Sequence, residues 1–226
     1  MNIIEKDKEY IASTYARFPV VLEKGNGSLV YDKNGKEYID LSSGIAVNTF
    51  GVADKEWQNA VTEQLGKIQH ASNLYYTEPC VNLAQILCQR TGMKKVFFSN
   101  SGAEANECAI KAARKYAEDK KGNEYNKIIT LKNSFHGRTI TTLAATGQEV
   151  FHNDFLPLTD GFLYCEANDC EQLENLVKNN KVCGIMFEFV QGEGGVLPLQ
   201  KEFVNKIFCL AKEWDILTIA DEVQTG

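Results

Sequence analysis

The sequence is short of several things that would have settled its class quickly. It has only four prolines, and its seven cysteines form no C-x-x-C pair. The cysteine number is odd, several lie within apolar helical or strand patterns, and buried free thiols in a reducing compartment are expected rather than a disulfide framework. The three histidines (70, 136 and 152) are far apart and lack ligand spacing, which argues against a metal site. No apolar run is long enough to span a bilayer. Positive charge is also in deficit: 24 Lys and Arg against 30 Asp and Glu leave a net −6, without the basic footprint of a nucleic-acid binder. The first residues, Met1–Asp7, show neither a basic region followed by an apolar stretch nor an Arg-rich presequence, so no membrane association and a cytoplasmic location are expected.

What is present suits a globular domain. Of 226 residues, 44% are hydrophobic and 24% charged, enough to bury a core without disulfides. The first fifty residues read as strand-rich, with Asn34-Gly35 between two alternating runs, the signature of a type I′ hairpin. Helical spacing then appears in Trp57, Val61, Leu65 and Ile68, and again after Thr77-Glu78-Pro79. From Lys95 the pattern alternates. Strands are expected at 95–98, 128–131, 162–165, 182–190 and 216–220, with helices at 102–117, 139–145, 169–178 and 201–214. That is an α/β fold, a mostly parallel sheet with helices on both faces, whose ligands collect beyond the carboxyl ends of the strands.

Four segments at such ends carry polar groups. In Ser99–Glu107, Ser101 caps a helix, Glu104 completes a capping box, and the N–H groups of Gly102 and Ala103 form an anion site. A capped helix without a ligand reads the same way. In Asn133–Thr139, Phe135 suits stacking and Arg138 suits a bidentate carboxylate clamp; a core Phe and a surface Arg are the alternative. Glu188 and Glu193 lie near a glycine-rich turn (Gly192, Gly194, Gly195), catalytic, gating or merely solvated. Asp221 follows Ile216–Ala220, so it needs a cation or strong donors to stay charged; a protonated heterocyclic nitrogen is one, and core capping is the plainer reading. Together the four supply a phosphate cradle, a ring stacker, a carboxylate clamp and a partner for a ring nitrogen. Pyridoxal 5′-phosphate (PLP) requires all but the clamp, and an amino-acid substrate requires the clamp.

Ser99–Glu107, Ser134–Thr139 and Asp221–Gly226 resemble the class III, fold type I PLP-dependent aminotransferases. Gly44–Asn48, His70–Tyr76 and Leu143–Gln148 are similar to the acetylornithine group of that family, and the likeness runs from about Tyr15 to Gly226. The resemblance implies that Ser101, Gly102 and Ala103 hold the PLP phosphate, Phe135 and Val223 pack the ring faces, Asp221 pairs with the ring nitrogen, and Gln224 bonds the phenolic oxygen. His136 is assigned to the cofactor site as well. Arg138 and Tyr15 are implied to hold substrate carboxylate, Glu193 to gate between substrates, and Glu188 to lie beside the cofactor as a catalytic group.

The implied reaction exchanges the δ-amino group of N-acetyl-L-ornithine with 2-oxoglutarate, giving glutamate, by a ping-pong route in arginine biosynthesis, in a homodimer. Another class III ω-aminotransferase (ornithine, succinylornithine or 4-aminobutyrate), an aminomutase, or a non-catalytic module are the alternatives. The expected domains are residues 1–50, part of a small domain, and 51–226, a PLP-binding large domain incomplete at its C-terminal end. No lysine present matches the family's Schiff-base lysine, so the sequence reads as the front portion of a longer enzyme.

Overall fold

A computed structural model describes residues 2–226. Packing separates them into two compact units, the second being Met93–Gly226 and the first ending at Gly92. The sequence pattern changes near residue 50, whereas the two compact units divide between Gly92 and Met93, so the helices Lys55–Leu65 and Glu78–Thr91 fall within the first unit.

The N-terminal unit contains α1 (Ile3–Tyr10), strands β1 (Leu22–Asn26), β2 (Leu29–Asp32) and β3 (Glu37–Ile39), a short left-handed turn α2 (Ser43–Ala46), α3 (Lys55–Leu65) and α4 (Glu78–Thr91). β1, β2 and β3 form an antiparallel sheet in that order. The β2–β3 turn is not type I′. Gly35 has φ +78°, but Asn34 is not at positive φ, because the Asp32 carboxylate organises the loop by accepting the N–H of Asn34 (2.8 Å) and of Lys36 (3.0 Å). α3 is capped by Asp54, which accepts the Trp57 N–H at 2.8 Å, and α4 carries Pro79 in its first turn and ends on left-handed Gly92.

The C-terminal unit holds α5 (Gly102–Lys121), β4 (Lys127–Leu131), α6 (Ile140–Ala145), β5 (Phe162–Cys165), α7 (Cys170–Asn179), β6 (Val182–Phe187), a small β7–β8 ribbon (Val190–Gln191 with Leu197–Pro198), α8 (Lys201–Trp214) and β9 (Leu217–Ala220). Four strands form a parallel sheet in the order β5-β4-β6-β9. Segment 95–98, expected as a strand, is irregular: it finds no ladder partner among the described residues, and Phe97 is 67% exposed. The expected strand 182–190 stops at Phe187, where Glu188 turns inward.

Two apolar layers cover the sheet. Ile110, Ala113 and Ala117 of α5 pack with Ile128, Cys183 and Met186 on one face. Leu173 and Val177 of α7, with Phe203, Ile207 and Leu210 of α8, pack with Ile129, Ile185 and Phe187 on the other. Strict alternation would put Cys183 and Ile185 on the same face. They lie on opposite faces because the β4–β6 register slips: Lys127 pairs with Val182 but Ile128 with Gly184. The extra residue is a bulge that resets the parity. Of the seven free cysteines, Cys165 and Cys183 are the buried ones, so the expectation of buried thiols holds for that pair; burial pushes their pKa values up to about 12 and about 11.

β4 connects to β5 on one side of the sheet and β6 connects to β9 on the other, so the loops leaving β4 and β6 diverge. Such a switch point opens a crevice at the carboxyl ends. The β4 exit is held by Gly147, which forms a parallel bridge with Lys132; a Cβ on Gly147 would lie 2.0 Å from the Leu131 carbonyl oxygen. Gly147→Ala is therefore expected to destabilise the protein by about 1–3 kcal/mol in urea unfolding, with lost order centred on the β4 exit.

Candidate functional site

A cavity of about 430 Å³ opens at these carboxyl ends, entirely within the C-terminal unit. Ten of the expected site residues line it: Gly102, Ala103, Phe135, His136, Arg138, Glu188, Glu193, Asp221, Val223 and Gln224. Ser101 stands just behind them as the N-cap of α5. Tyr15 belongs to the N-terminal unit, where it is exposed and its ring lies 5.9 Å from the Arg17 guanidinium carbon.

The cavity's first wall is the start of α5. Ser101 Oγ accepts the Glu104 N–H at 3.2 Å. Glu104 reaches back one residue further than a capping box would, accepting the N–H of Asn100 at 2.7 Å. Gly102 and Ala103 occupy the first turn, where no earlier carbonyl can take their N–H groups, and these groups keep the positive end of the helix dipole. Gly102 is needed for a second reason: a Cβ there would lie 2.7 Å from a Val223 methyl group.

The second wall is the β4-exit loop, pinned from two directions. From the α6 side, His136 N–H donates to Thr146 Oγ1 (2.9 Å) and Gly147 N–H donates to Ser134 Oγ (3.0 Å). From the β6 side, Gln191 Nε2 donates to the Lys132 carbonyl (2.8 Å), and the Phe135 N–H donates to Glu188 Oε1 (3.0 Å). The other Glu188 oxygen accepts the Gly192 N–H at 3.3 Å. Glu188, 5% exposed, thus ties the two loops with both oxygens. Burial pushes its pKa above the ordinary 4.5, reinforced by the nearby Asp221 charge and opposed by the two N–H donors and His136. Glu193, on the exposed rim, accepts a hydrogen bond from Gln148 Nε2, which also donates to the Ser134 carbonyl (3.1 Å).

Asp221 forms the floor. It is 8% exposed, and its backbone N–H donates to the Phe187 carbonyl at 2.8 Å, continuing the β6–β9 ladder. Oδ2 accepts from Asn106 Nδ2 (2.8 Å) and His136 Nδ1 (2.8 Å), and Oδ1 accepts the Val223 N–H (3.1 Å). Burial pushes this carboxyl up, but the hydrogen bond and charge interaction with His136, then Asn106 and Val223, outweigh it, and its pKa lies below the ordinary 3.8. The His136 ring faces the ionised carboxylate through Nδ1, which is the donor because a carboxylate can only accept. Nε2 is buried without a hydrogen-bond partner among the described residues.

The sequence model of the class III aminotransferases matches residues 10–226. The chain belongs to the class III aminotransferase family. An acetylornithine aminotransferase of Haemophilus ducreyi is 52% identical over 225 residues, which cover all of this chain and 57% of that relative. The solved N-acetylornithine aminotransferase of Stenotrophomonas maltophilia superposes with a TM-score of 0.82 at 37% identity, over 99% of this chain and 54% of that one. The solved ornithine aminotransferase of Toxoplasma gondii, which has PLP at partial occupancy in its active site, superposes with a TM-score of 0.92 at 31% identity, over 99% and 53%. The class III chain thus spans little more than half the length of these relatives.

Three cavity residues of this class III chain lie within the motifs Ser99–Glu107 and Ser134–Thr139 but have no expected role there: Asn106, Gly137 and Thr139. Gly137, at φ +128°, presses against Thr142 and Ala103, where a Cβ would meet their side chains at 2.6 and 2.9 Å. Thr139 caps α6 and donates to Glu107 at 2.6 Å. Asn106 had a signal in the sequence. It shares a helical stripe with Ile110, Ala113 and Ala117, and a polar residue on an apolar stripe needs a buried partner.

Two expectations follow. Glu188→Ala leaves the Phe135 and Gly192 N–H groups without acceptors and should cost about 2–4 kcal/mol in urea unfolding. The Asp221 pKa is lower folded than unfolded, so its stabilisation is full above about 3.8 and lost as pH falls through the folded value. The stability gap between wild type and Asp221→Asn should therefore narrow on acidification from neutral to about pH 3.

Proposed function

We propose that the protein carrying this chain transfers the δ-amino group of N-acetyl-L-ornithine to 2-oxoglutarate, forming glutamate in arginine biosynthesis, with PLP as cofactor. The observation that carries the reading is Asp221: a buried carboxylate kept charged by three donors, facing the same cavity as the uncapped N–H groups of Gly102 and Ala103. A ligand that is anionic at one end and carries a protonated ring nitrogen at the other suits that pair. The substrate assignment is supported by the 52% identity to the Haemophilus relative of that name.

The residues present fit PLP. Gly102 and Ala103 would hold its phosphate, with Ser101 fixing the helix start. Phe135 would cover one ring face, held by the Glu188 bond to its N–H and by an edge contact with Phe151 at 5.6 Å. Val223 would cover the other, and Gln224 would take the phenolic oxygen. When bound, PLP supplies the electron sink that acidifies the substrate carbon bearing the amine. Asp221 favours a proton on the ring nitrogen, because a neutral nitrogen would leave the charged carboxylate facing a lone pair. His136 supports that charge from behind, as its ring is enclosed; it acts through Asp221 rather than by touching a ligand. Glu188 is proposed as the group that sets Phe135, since both its oxygens are engaged by backbone.

Arg138, on the exposed rim, would clamp substrate carboxylate, with Tyr15 assisting, and Glu193 would gate between the ω-amino substrate and glutamate. Residues 1–50 are proposed as part of the small domain and 51–226 as the cofactor-binding large domain of a cytoplasmic homodimer. No helix among the described residues is long and apolar enough to cross a membrane.

Purified full-length protein should show a higher kcat/KM with N-acetyl-L-ornithine than with ornithine, succinylornithine or 4-aminobutyrate. Preference for one of the others overturns the substrate assignment. Arg138→Ala should raise the KM of N-acetyl-L-ornithine and, in the reverse direction, of glutamate about 10- to 100-fold. Asp221→Ala should lower kcat by several orders of magnitude; near-normal turnover would remove Asp221 from the proposed role.

A further inference from the structure

We infer that Asn106 is a positioning residue that restricts the Asp221 carboxylate to a single remaining acceptor site, matched to one ring N–H, and locks the phenylalanine-bearing loop to it. This deepens the PLP assignment above and rests on it.

The argument is a count of donors and lone pairs. An ionised carboxylate has about four lone-pair sites, two on each oxygen. Two donors, Asn106 Nδ2 and His136 Nδ1, both at 2.8 Å, fill Oδ2. The Val223 N–H fills one site of Oδ1. One site, on Oδ1, is left. A carboxylate in this state accepts one further N–H and rejects a bidentate fork such as a guanidinium, whose second donor would find Oδ2 saturated. A protonated ring nitrogen is a single donor and matches what remains.

Asn106 is the member of this set that also organises the loop. The amide nitrogen has two hydrogens; one goes to Asp221 and the other to the His136 carbonyl at 2.9 Å. Neither is left for a ligand, and the residue is 6% exposed. One side chain on α5 thereby ties the end of β9 to the β4-exit loop, which carries Phe135 directly before His136. Losing it strips Oδ2 of a donor and frees the carbonyl next to Phe135 in the same event. Oδ2 would then hold a second open site, and the carboxylate could turn.

The test uses full-length protein and PLP labelled with ¹⁵N in the ring. It compares wild type with Asn106→Leu, which keeps the bulk and removes both donors. Fluorescence titration gives cofactor affinity, and the ¹⁵N resonance reports protonation of the ring nitrogen. Asn106→Leu should bind PLP about tenfold or more weakly, with the resonance shifted towards that of an unprotonated ring. Unchanged affinity, or weaker binding with an unmoved resonance, overturns the inference; the second result would mark a merely structural role. If Asn106→Leu lacks the circular dichroism of wild type, Asn106→Ala is judged by the same two readouts. A wild-type protein that binds no PLP overturns the cofactor assignment itself. Wild-type binding together with an unaffected variant overturns Asn106 alone.

Discussion

The site depends on keeping one carboxylate charged where water is scarce. Burial by itself pushes the Asp221 carboxyl towards its neutral form. Three donors oppose this, and each comes from a different part of the chain: Asn106 from α5, His136 from the β4-exit loop, and Val223 from the turn after β9. Removing any one donor leaves a buried charge under-satisfied, which costs more than an ordinary surface hydrogen bond contributes. The arrangement thus specifies how α5, β4 and β9 sit relative to one another, and the two apolar layers supply the energy to hold them there.

Those layers explain why the donors meet. α5 packs on one face of the sheet through Ile110, Ala113 and Ala117, which brings Asn106, one turn nearer the helix start, to the strand ends. The bulge opposite Lys127 lets Gly184 face α5 while Ile185 and Phe187 face α8. Glycines then allow the loops to close on one another. Gly192 lies where a Cβ would sit 2.7 Å from Gln224, and Gly194 where it would sit 2.3 Å from the Asn133 carbonyl oxygen. Core packing, backbone proximity and the charged floor are successive consequences of one sheet order.

Much of this was legible in the residue pattern. β4, β5, β6, α7 and α8 stand out because apolar runs and helical stripes are punctuated by Asp, Asn and Gly, and the three loops at strand ends followed from the sheet type. The rest depended on tertiary partners. Val96–Phe98 has strand composition, but a strand exists only with a neighbour. Asn34-Gly35 suggests a type I′ turn, but the Asp32 side chain selects another. The bulge is invisible in a run where every residue is buried. Asn106 was missed because Asn in an Ala- and Glu-rich helix looks like solvent-facing filler until its place on the apolar stripe is noticed. Tyr15 was read through family likeness alone, and no local pattern would have singled it out.

The central claim is that the start of α5 and the three loops leaving β4, β6 and β9 form one PLP cradle with Asp221 at the ring nitrogen. A crystal structure of the full-length protein with PLP bound tests it most directly. The account predicts the phosphate against the N–H groups of Gly102 and Ala103, and the ring nitrogen within hydrogen-bond distance of Asp221 Oδ1. A phosphate held elsewhere, or a ring nitrogen facing away from Asp221, would contradict it.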